Sequence, residues 1–226
     1  MGVSKLQILE IKIIFNVTDK VERFVNVFAI LGSKVYLIDA GVAGALEQIS
    51  SALQTAGRSI KEIGTILLTH THPDHIGCAK QIKGLVPQCK IYVSAKEKEW
   101  LEDIEVQYKE RPIPNFHAIA GSSVQADALL HPGDSTALED DIQLDVIDCS
   151  GHSHGSIGYL WKQKKVLFSG DAVPAVDDAL IFSHLGNSID TIHRLRELES
   201  LEVIYSAWED SKQGAAIKDS LKRKRR

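Results

Sequence analysis

The sequence predicts an α/β chain in which two sheets pack together with helices outside. Two groups of short apolar strands, each followed by amphipathic helical segments, suit that arrangement better than a singly wound parallel sheet. The chain has 226 residues, 44% of them apolar, enough for a substantial core. No fixed-period repeat and no linker-like tract divides it, so one domain over residues 1–221 is expected, followed by a basic tail at 222–226.

Alternating apolar positions mark strands at Leu6 to Phe15, Phe24 to Leu31 and Val35 to Ile38, an expected antiparallel meander running into Asp39-Ala40-Gly41. Leu46, Ile49, Leu53 and Ala56 then share a helical face, and Gly57 stands in the usual stop position. Thr65 to Thr69 is a short buried strand leading straight into His70. Beyond the histidine-rich turn, Ile76 to Lys83 reads as a helix, Ile91 to Ser94 as a strand, and Ala95 to Lys109 as one charged amphipathic helix. The stretch from Glu110 to Asp140, with Pro112, Pro114 and Pro132, has little periodicity and reads as a long covering loop. Strands are expected at Ile142 to Ile147, Ile157 to Trp161 and Val166 to Ser169. A helix capped by Ser188, a last strand at Val203 to Ser206 and a final helix from Ser211 complete the chain.

The 26 basic and 30 acidic residues give a net charge of −4, yet Lys222, Arg223, Lys224, Arg225 and Arg226 are all basic. Without them 21 basic residues face 30 acidic ones, a body of −9, which argues against a general nucleic-acid surface. No run approaches the ~20 apolar residues of a spanning helix, so no membrane partner is expected. Cys78, Cys89 and Cys149 form no C-x-x-C pair, and an odd count fits a reducing cytoplasm.

The strongest chemical signal is Thr69-His70-Thr71-His72-Pro73-Asp74-His75, with three histidines and one aspartate among the six residues from 70 to 75. Extended chain alternates its side chains, so His70 and His72 leave the strand end on the same side. Pro73 then turns the chain and lets Asp74 and His75 approach from another direction. That pattern suits two metals better than one. A second cluster, Ser150-Gly151-His152-Ser153-His154-Gly155, follows another strand, and a third is Ser169-Gly170-Asp171. Loops at strand ends are where ligands from distant sequence meet.

Taken together, the H-x-H-x-D-H motif, the two later clusters and the Leu37-Ile38-Asp39-Ala40-Gly41 segment resemble the metallo-β-lactamase superfamily of hydrolases over nearly the whole chain. The resemblance implies a four-layer αβ/βα sandwich with metals at one edge between the sheets. It also implies that His70, His72 and His152 hold a first metal, that Asp74 and His75 hold a second, and that Asp171 bridges the two. Asp39 matches an aspartate that is mostly structural in the family.

The chain departs from the family pattern after the last strand. A closing histidine is usual there, whereas this sequence has Ser206-Ala207-Trp208-Glu209-Asp210. An indole nitrogen only donates a hydrogen bond and cannot ligate a metal. Glu209 or Asp210 could supply a carboxylate in its place, or the second position could be left weakly filled; the two readings stand side by side. With Asp74, Asp171 and one hydroxide, two divalent ions carry a net charge of about +1, and a further carboxylate brings this to about zero. A neutral centre holds its ions more tightly and is a weaker Lewis acid.

Imidazole and carboxylate ligands suit zinc, iron or manganese, and two zinc ions are the default. A metal lowers the pKa of its bound water towards ~7, so a metal-bound hydroxide is the expected nucleophile, with Asp74 as the catalytic residue that orients it or shuttles its proton. The expected substrate is a small carbonyl ester, thioester or lactone. Two alternatives remain: a mononuclear iron enzyme of oxygen or sulfur chemistry, and a metal-binding module that has lost catalysis.

Overall fold

The computed structural model describes residues 7–173, 182–198, 201–208 and 212–213. Two compact units emerge, the first from Met1–Val93 with Glu97–Leu129 and the second from Ser94–Lys96 with Leu130–Arg226.

The first unit is built on a sheet of strand order β1-β2-β3-β4-β5-β6, comprising β1 (Gln7–Thr18), β2 (Val21–Leu31), β3 (Val35–Ile38), β4 (Ile63–Leu67), β5 (Lys90–Ser94) and β6 (Ala128–Leu130). The expected meander is present: β1 pairs antiparallel with β2, and β2 with β3. Ile11 and Ile13 of β1 are buried while Lys12 and Ile14 between them are exposed, the two-residue period of a half-buried strand. Helix α1 (Leu46–Thr55) carries the chain from β3 to β4, buries Ile49 and Leu53, and pins edge strand β1 through Gln48, which bonds both the N–H and the carbonyl of Ile14 at 3.0 and 3.1 Å. It ends as expected at Gly57, whose φ of +74° lets the N–H groups of Gly57 and Arg58 return to Gln54 and Leu53.

From β3 the sheet becomes parallel, β3 pairing with β4 and β4 with β5. Parallel neighbours place their C-terminal ends on one edge. The residues after β3, β4 and β5, namely Asp39, Thr69 to His75 and the segment leading to Glu97, therefore emerge side by side.

Three local expectations need correction between Ile76 and Asp140. The single helix expected from Ile76 to Lys83 is two, α2 (Pro73–Ile76) and α3 (Ala79–Leu85). The Gly77 N–H leaves the helical ladder and donates to Gly41 O at 2.7 Å, where a Cβ on Gly77 would lie only 2.2 Å from Ala43 N. The helix expected from Ala95 to Lys109 breaks into a 3-10 turn, α4 (Lys98–Glu102) and α5 (Ile104–Glu110), because Asp103 adopts extended angles and accepts the Glu105 N–H as a cap. The stretch expected as a loop from Glu110 to Asp140 holds α6 (Phe116–Ala120), β6 and β7 (Ser135–Glu139), elements too short to show a period.

The second unit is built on the sheet β12-β11-β10-β9-β8-β7, with β8 (Ile142–Asp148), β9 (Ile157–Trp161), β10 (Val166–Gly170), β11 (Val203–Ser206) and β12 (Lys212–Gln213). Strands β7 to β10 pair antiparallel in succession, and β10 pairs parallel with β11. Consequently β8, β10 and β11 all run in one direction. Their C-terminal loops, carrying His152, Asp171 and Trp208, share an edge. Helix α7 (Leu185–Arg196) packs Ile192 and Leu195 against Leu160, Leu167 and Ile204. Each such fully buried aliphatic side chain contributes about 1.5–3 kcal/mol.

Helix α7 begins three residues before the expected Ser188 cap. The ring of His184 accepts the Asn187 N–H at 3.3 Å, and Ser188 lies inside the helix. The final helix expected from Ser211 is not seen in the described part of that segment, where Lys212–Gln213 pairs with β11; the basic tail lies outside the described residues. No helix among the described residues is long and apolar enough to cross a membrane.

Candidate metal centre

In the first unit the histidine motif is buried and held from several sides. His70, His72 and His75 are 1%, 3% and 0% exposed. The Nε2 of His70 lies 3.1 Å from Nδ1 of His72, and the rings of His70 and His75 have centroids 4.0 Å apart. Asp74 brings Oδ2 to 3.8 Å from Nε2 of His75. The unit thus gathers His70, His72, Asp74 and His75.

Hydrogen-bond direction around these rings follows from which groups lack a lone pair. A guanidinium only donates, so Arg111 Nη1, 2.5 Å from His72 Nε2, requires that nitrogen to accept. The His72 proton then sits on Nδ1 and points to His70 Nε2. His70 in turn donates from Nδ1 to Thr69 Oγ1 at 3.1 Å, and the Thr69 hydroxyl donates to Asp39 Oδ2 at 2.8 Å. Asp39 also accepts the Thr69 N–H at 2.7 Å and His75 Nδ1–H at 2.8 Å. One buried carboxylate thereby fixes the tautomer of His75 and leaves its Nε2 unprotonated, an atom that could hold a metal.

The peptide between His70 and His72 is clamped as well. Buried Glu97 Oε2 accepts the Thr71 N–H at 2.6 Å and its hydroxyl at 2.7 Å, while Gln107 Nε2 donates to Thr71 O at 2.6 Å. These bonds set the spacing of the two imidazoles.

In the second unit, His152 Nε2 lies 3.1 Å from Asp171 Oδ2, and the Trp208 indole N–H donates to the same oxygen at 2.8 Å. The His152 loop is stapled to the start of α7: the N–H groups of Ser183 and His184 donate to Gly151 O, Ser183 Oγ to His152 O, and Thr191 Oγ1 to Ser150 O. Gly151, at φ +131°, packs where a Cβ would lie 2.3 Å from Ser188 Oγ. His154 is exposed, and its Nε2–H donates to Lys96 O at 2.6 Å. Cys149 is fully buried, and burial pushes its thiol up to about 12, an inert group. Glu209 and Asp210 lie outside the described residues.

The donor sets fit a metal. Bonds of about 2.0–2.1 Å at a tetrahedral angle put neighbouring donor atoms about 3.3 Å apart. The His70–His72 and His152–Asp171 pairs, each at 3.1 Å, are close to that spacing. Sequence reasoning missed Thr69, Glu97, Gln107 and Arg111. Thr69 stands at the head of the histidine motif without a role being read for it, the other three lie in no recognisable motif, and Glu97 reads as one more charge on an amphipathic helix.

Comparisons with known proteins agree with this geometry. The family model described as "Metallo-beta-lactamase superfamily" matches residues 21–205. The human protein named acyl-coenzyme A thioesterase MBLAC2 is 31% identical over 197 residues, covering 76% of this chain and 67% of its own. A hydroxyacylglutathione hydrolase, GloC, of Haemophilus influenzae is 27% identical over 137 residues, covering 61% of this chain and 60% of its own. The chain thus spans about two thirds or less of these two relatives. A metallo-beta-lactamase family protein from Thermus thermophilus matches in structure with a TM-score of 0.77 at 19% identity, covering 96% of this chain and 77% of that one, a likeness of fold alone. With the family match spanning most of its length, and histidine and aspartate pairs at the strand ends where that motif falls, the chain belongs to the metallo-beta-lactamase superfamily.

Proposed function

We propose that this chain is a metal-dependent hydrolase of thioesters, with His70, His72, His152 and Asp171 as ligands of metal and Asp74 and His75 as ligands of a second ion. The observation that carries the reading is the pairing of ligand atoms at metal spacing, His70 Nε2 with His72 Nδ1 and His152 Nε2 with Asp171 Oδ2, each at 3.1 Å. The family model spans 21–205, which supports treating both units as parts of one domain. One relative is named an acyl-coenzyme A thioesterase and another a hydroxyacylglutathione hydrolase, names that favour a thioester over a lactone or simple ester.

When bound, the metal supplies a water acidic enough to be ionised near neutral pH and a Lewis acid for the substrate carbonyl. The protein's own groups do the rest. Asp39 and Thr69 hold His75 and His70 in tautomers suited to ligation, Glu97 and Gln107 fix the Thr71 peptide, and Asp74, with Oδ2 3.8 Å from His75 Nε2, is the residue that would orient the attacking water or take its proton. Zinc is the default ion, with iron or manganese as substitutes. The three cysteines are buried thiols with no disulfide, which supports a cytoplasmic setting.

The decisive experiment measures metal content and hydrolysis of acyl thioesters by the wild-type protein and His72→Ala. The reading expects bound metal, turnover lost on chelation and restored by zinc, and both metal and turnover lost in the variant. Full activity in His72→Ala would refute the assigned role. The Trp208–Asp171 bond favours a second reading, a mononuclear centre of the iron type. One tightly held iron with oxygen-dependent turnover and no hydrolysis would select it.

A further inference from the structure

Helix α7 carries an apolar stripe that leaves the core before the helix ends. Leu185, Ile189 and Ile192 stand at i, i+4 and i+7 and so share one flank of the helix. Ile192 is packed in the core at 6% exposure, whereas Ile189 and Leu185 are 42% and 48% exposed. Phe182, two residues before the His184 cap, is 45% exposed. Apolar side chains scattered over a surface are ordinary, but here they gather at one end of one helix.

That end is the one tied to a candidate metal ligand. Ser183 Oγ donates to His152 O at 2.9 Å, and the N–H groups of Ser183 and His184 donate to Gly151 O at 2.8 and 3.0 Å. Phe182 and Leu185 are the immediate chain neighbours of Ser183 and His184, the two residues that hold the loop. The His152 imidazole in turn meets Asp171 at 3.1 Å, and all of these residues belong to the second unit.

Size and chemistry select the occupant. Three side chains less than half exposed present on the order of 300 Å² or less, well short of the ~800 Å² per partner of a stable protein interface. The three side chains carry no polar atom, so burial of apolar groups is the only attraction they can supply. A short alkyl chain attached at the metal centre meets both conditions.

We propose that Phe182, Leu185 and Ile189 form a specificity-determining surface that receives the alkyl part of the substrate's acyl group. The proposal rests on the thioesterase reading and narrows it to thioesters of medium-chain or longer acids.

Metal-loaded full-length protein, the double variant Leu185→Gln with Ile189→Gln, and Leu85→Gln are compared on acetyl, butanoyl and octanoyl thioesters of coenzyme A. Glutamine keeps helix propensity while removing the apolar surface, and Leu85→Gln removes an equally exposed leucine from α3. In the wild type kcat/KM should rise at least about tenfold from acetyl to octanoyl, since two buried methylenes contribute about fourfold each. The double variant should lose most of that rise, chiefly through KM, and Leu85→Gln should keep it. A flat or falling series in the wild type, an equal rise in the double variant, or an equal loss in Leu85→Gln overturns the proposal. So does a wild-type dimer that the double variant dissociates while the rise stays intact, which makes the stripe an interface between copies. Calorimetric titration with octanoate and acetate reads the same contact without turnover. A smaller preference for octanoate in the double variant supports the proposal, and an equal preference, or none in the wild type, overturns it. Should the wild-type protein hydrolyse none of the thioesters, the thioesterase reading fails by itself, and the titration still decides the role of the stripe.

Discussion

His75 Nδ1 and Asp39 Oδ2 lie 2.8 Å apart, both side chains buried, joining helix α2 to the residue that follows β3. Asp39 sits at a φ of +63°, a left-handed conformation that Asp and Asn tolerate better than other residues with a Cβ. Its carboxylate accepts three hydrogen bonds, from the Thr69 N–H, the Thr69 hydroxyl and His75.

Asp39→Asn keeps the backbone preference but replaces one acceptor oxygen by a donor, so the three bonds cannot all survive. Metal affinity should fall about 10–100-fold, the usual cost of losing a group that orients a ligating histidine. Competition with a chromophoric chelator measures it, and an unchanged affinity would show that His75 orients without Asp39.

Trp208 stands where the family pattern has a histidine, and its N–H is spent on Asp171 Oδ2. Trp208→Phe removes that donor and should weaken metal binding about tenfold or more. Trp208→His supplies a new imidazole and should tighten the second equivalent of zinc. Identical zinc isotherms for both variants and the wild type would take Trp208 out of the account.

Glu97→Ala strips the acceptor from the buried Thr71 N–H and hydroxyl, at a cost of about 2–4 kcal/mol for two stranded donors. Glu97→Gln retains a carbonyl oxygen and should lose less. Urea unfolding of the three proteins orders them, and equal midpoints for Glu97→Ala and wild type would contradict the clamp.

Burial alone would raise the Asp127 carboxyl, yet hydrogen bonds from Lys83, the Ile91 N–H and Lys90 hold it below the usual carboxylate range. A carboxyl that is more acidic in the folded state adds stability above its unfolded pKa of about 3.9 and loses it as pH falls through the folded value. Asp127→Asn should therefore cost about 1 kcal/mol at pH 7, after allowance for solvent screening, and progressively less below about pH 3.9. Denaturation across pH 2–7, in steps of about one unit, tests the sign; a gap that widens on acidification would reverse it.

Legibility in the sequence followed the range of the interaction responsible. The strands β1 to β5 and β8 to β11 were visible because burial of one or both faces writes a two-residue period or an unbroken apolar run. The helix breaks at Gly77 and Asp103 were not, because a pull from Gly41 O and a cap on Glu105 N–H decide them. His184 as the cap of α7 was hidden for the same reason: Ser188 is the better capping residue by type, and its place against Gly151 overrides that preference.

By itself the sequence determined the family, the strand-end location of His70, His72, His152 and Asp171, and the chemical fact that Trp208 has no lone pair to give a metal. Those follow from residue type and local spacing. Only the tertiary structure decided that Trp208 spends its hydrogen on Asp171, that Asp39 serves His75, that Glu97 and Gln107 grip Thr71, and that Arg111 faces His72. Each of these joins residues 26 to 39 positions apart, brought together because neighbouring strands of one direction release their loops at the same sheet edge.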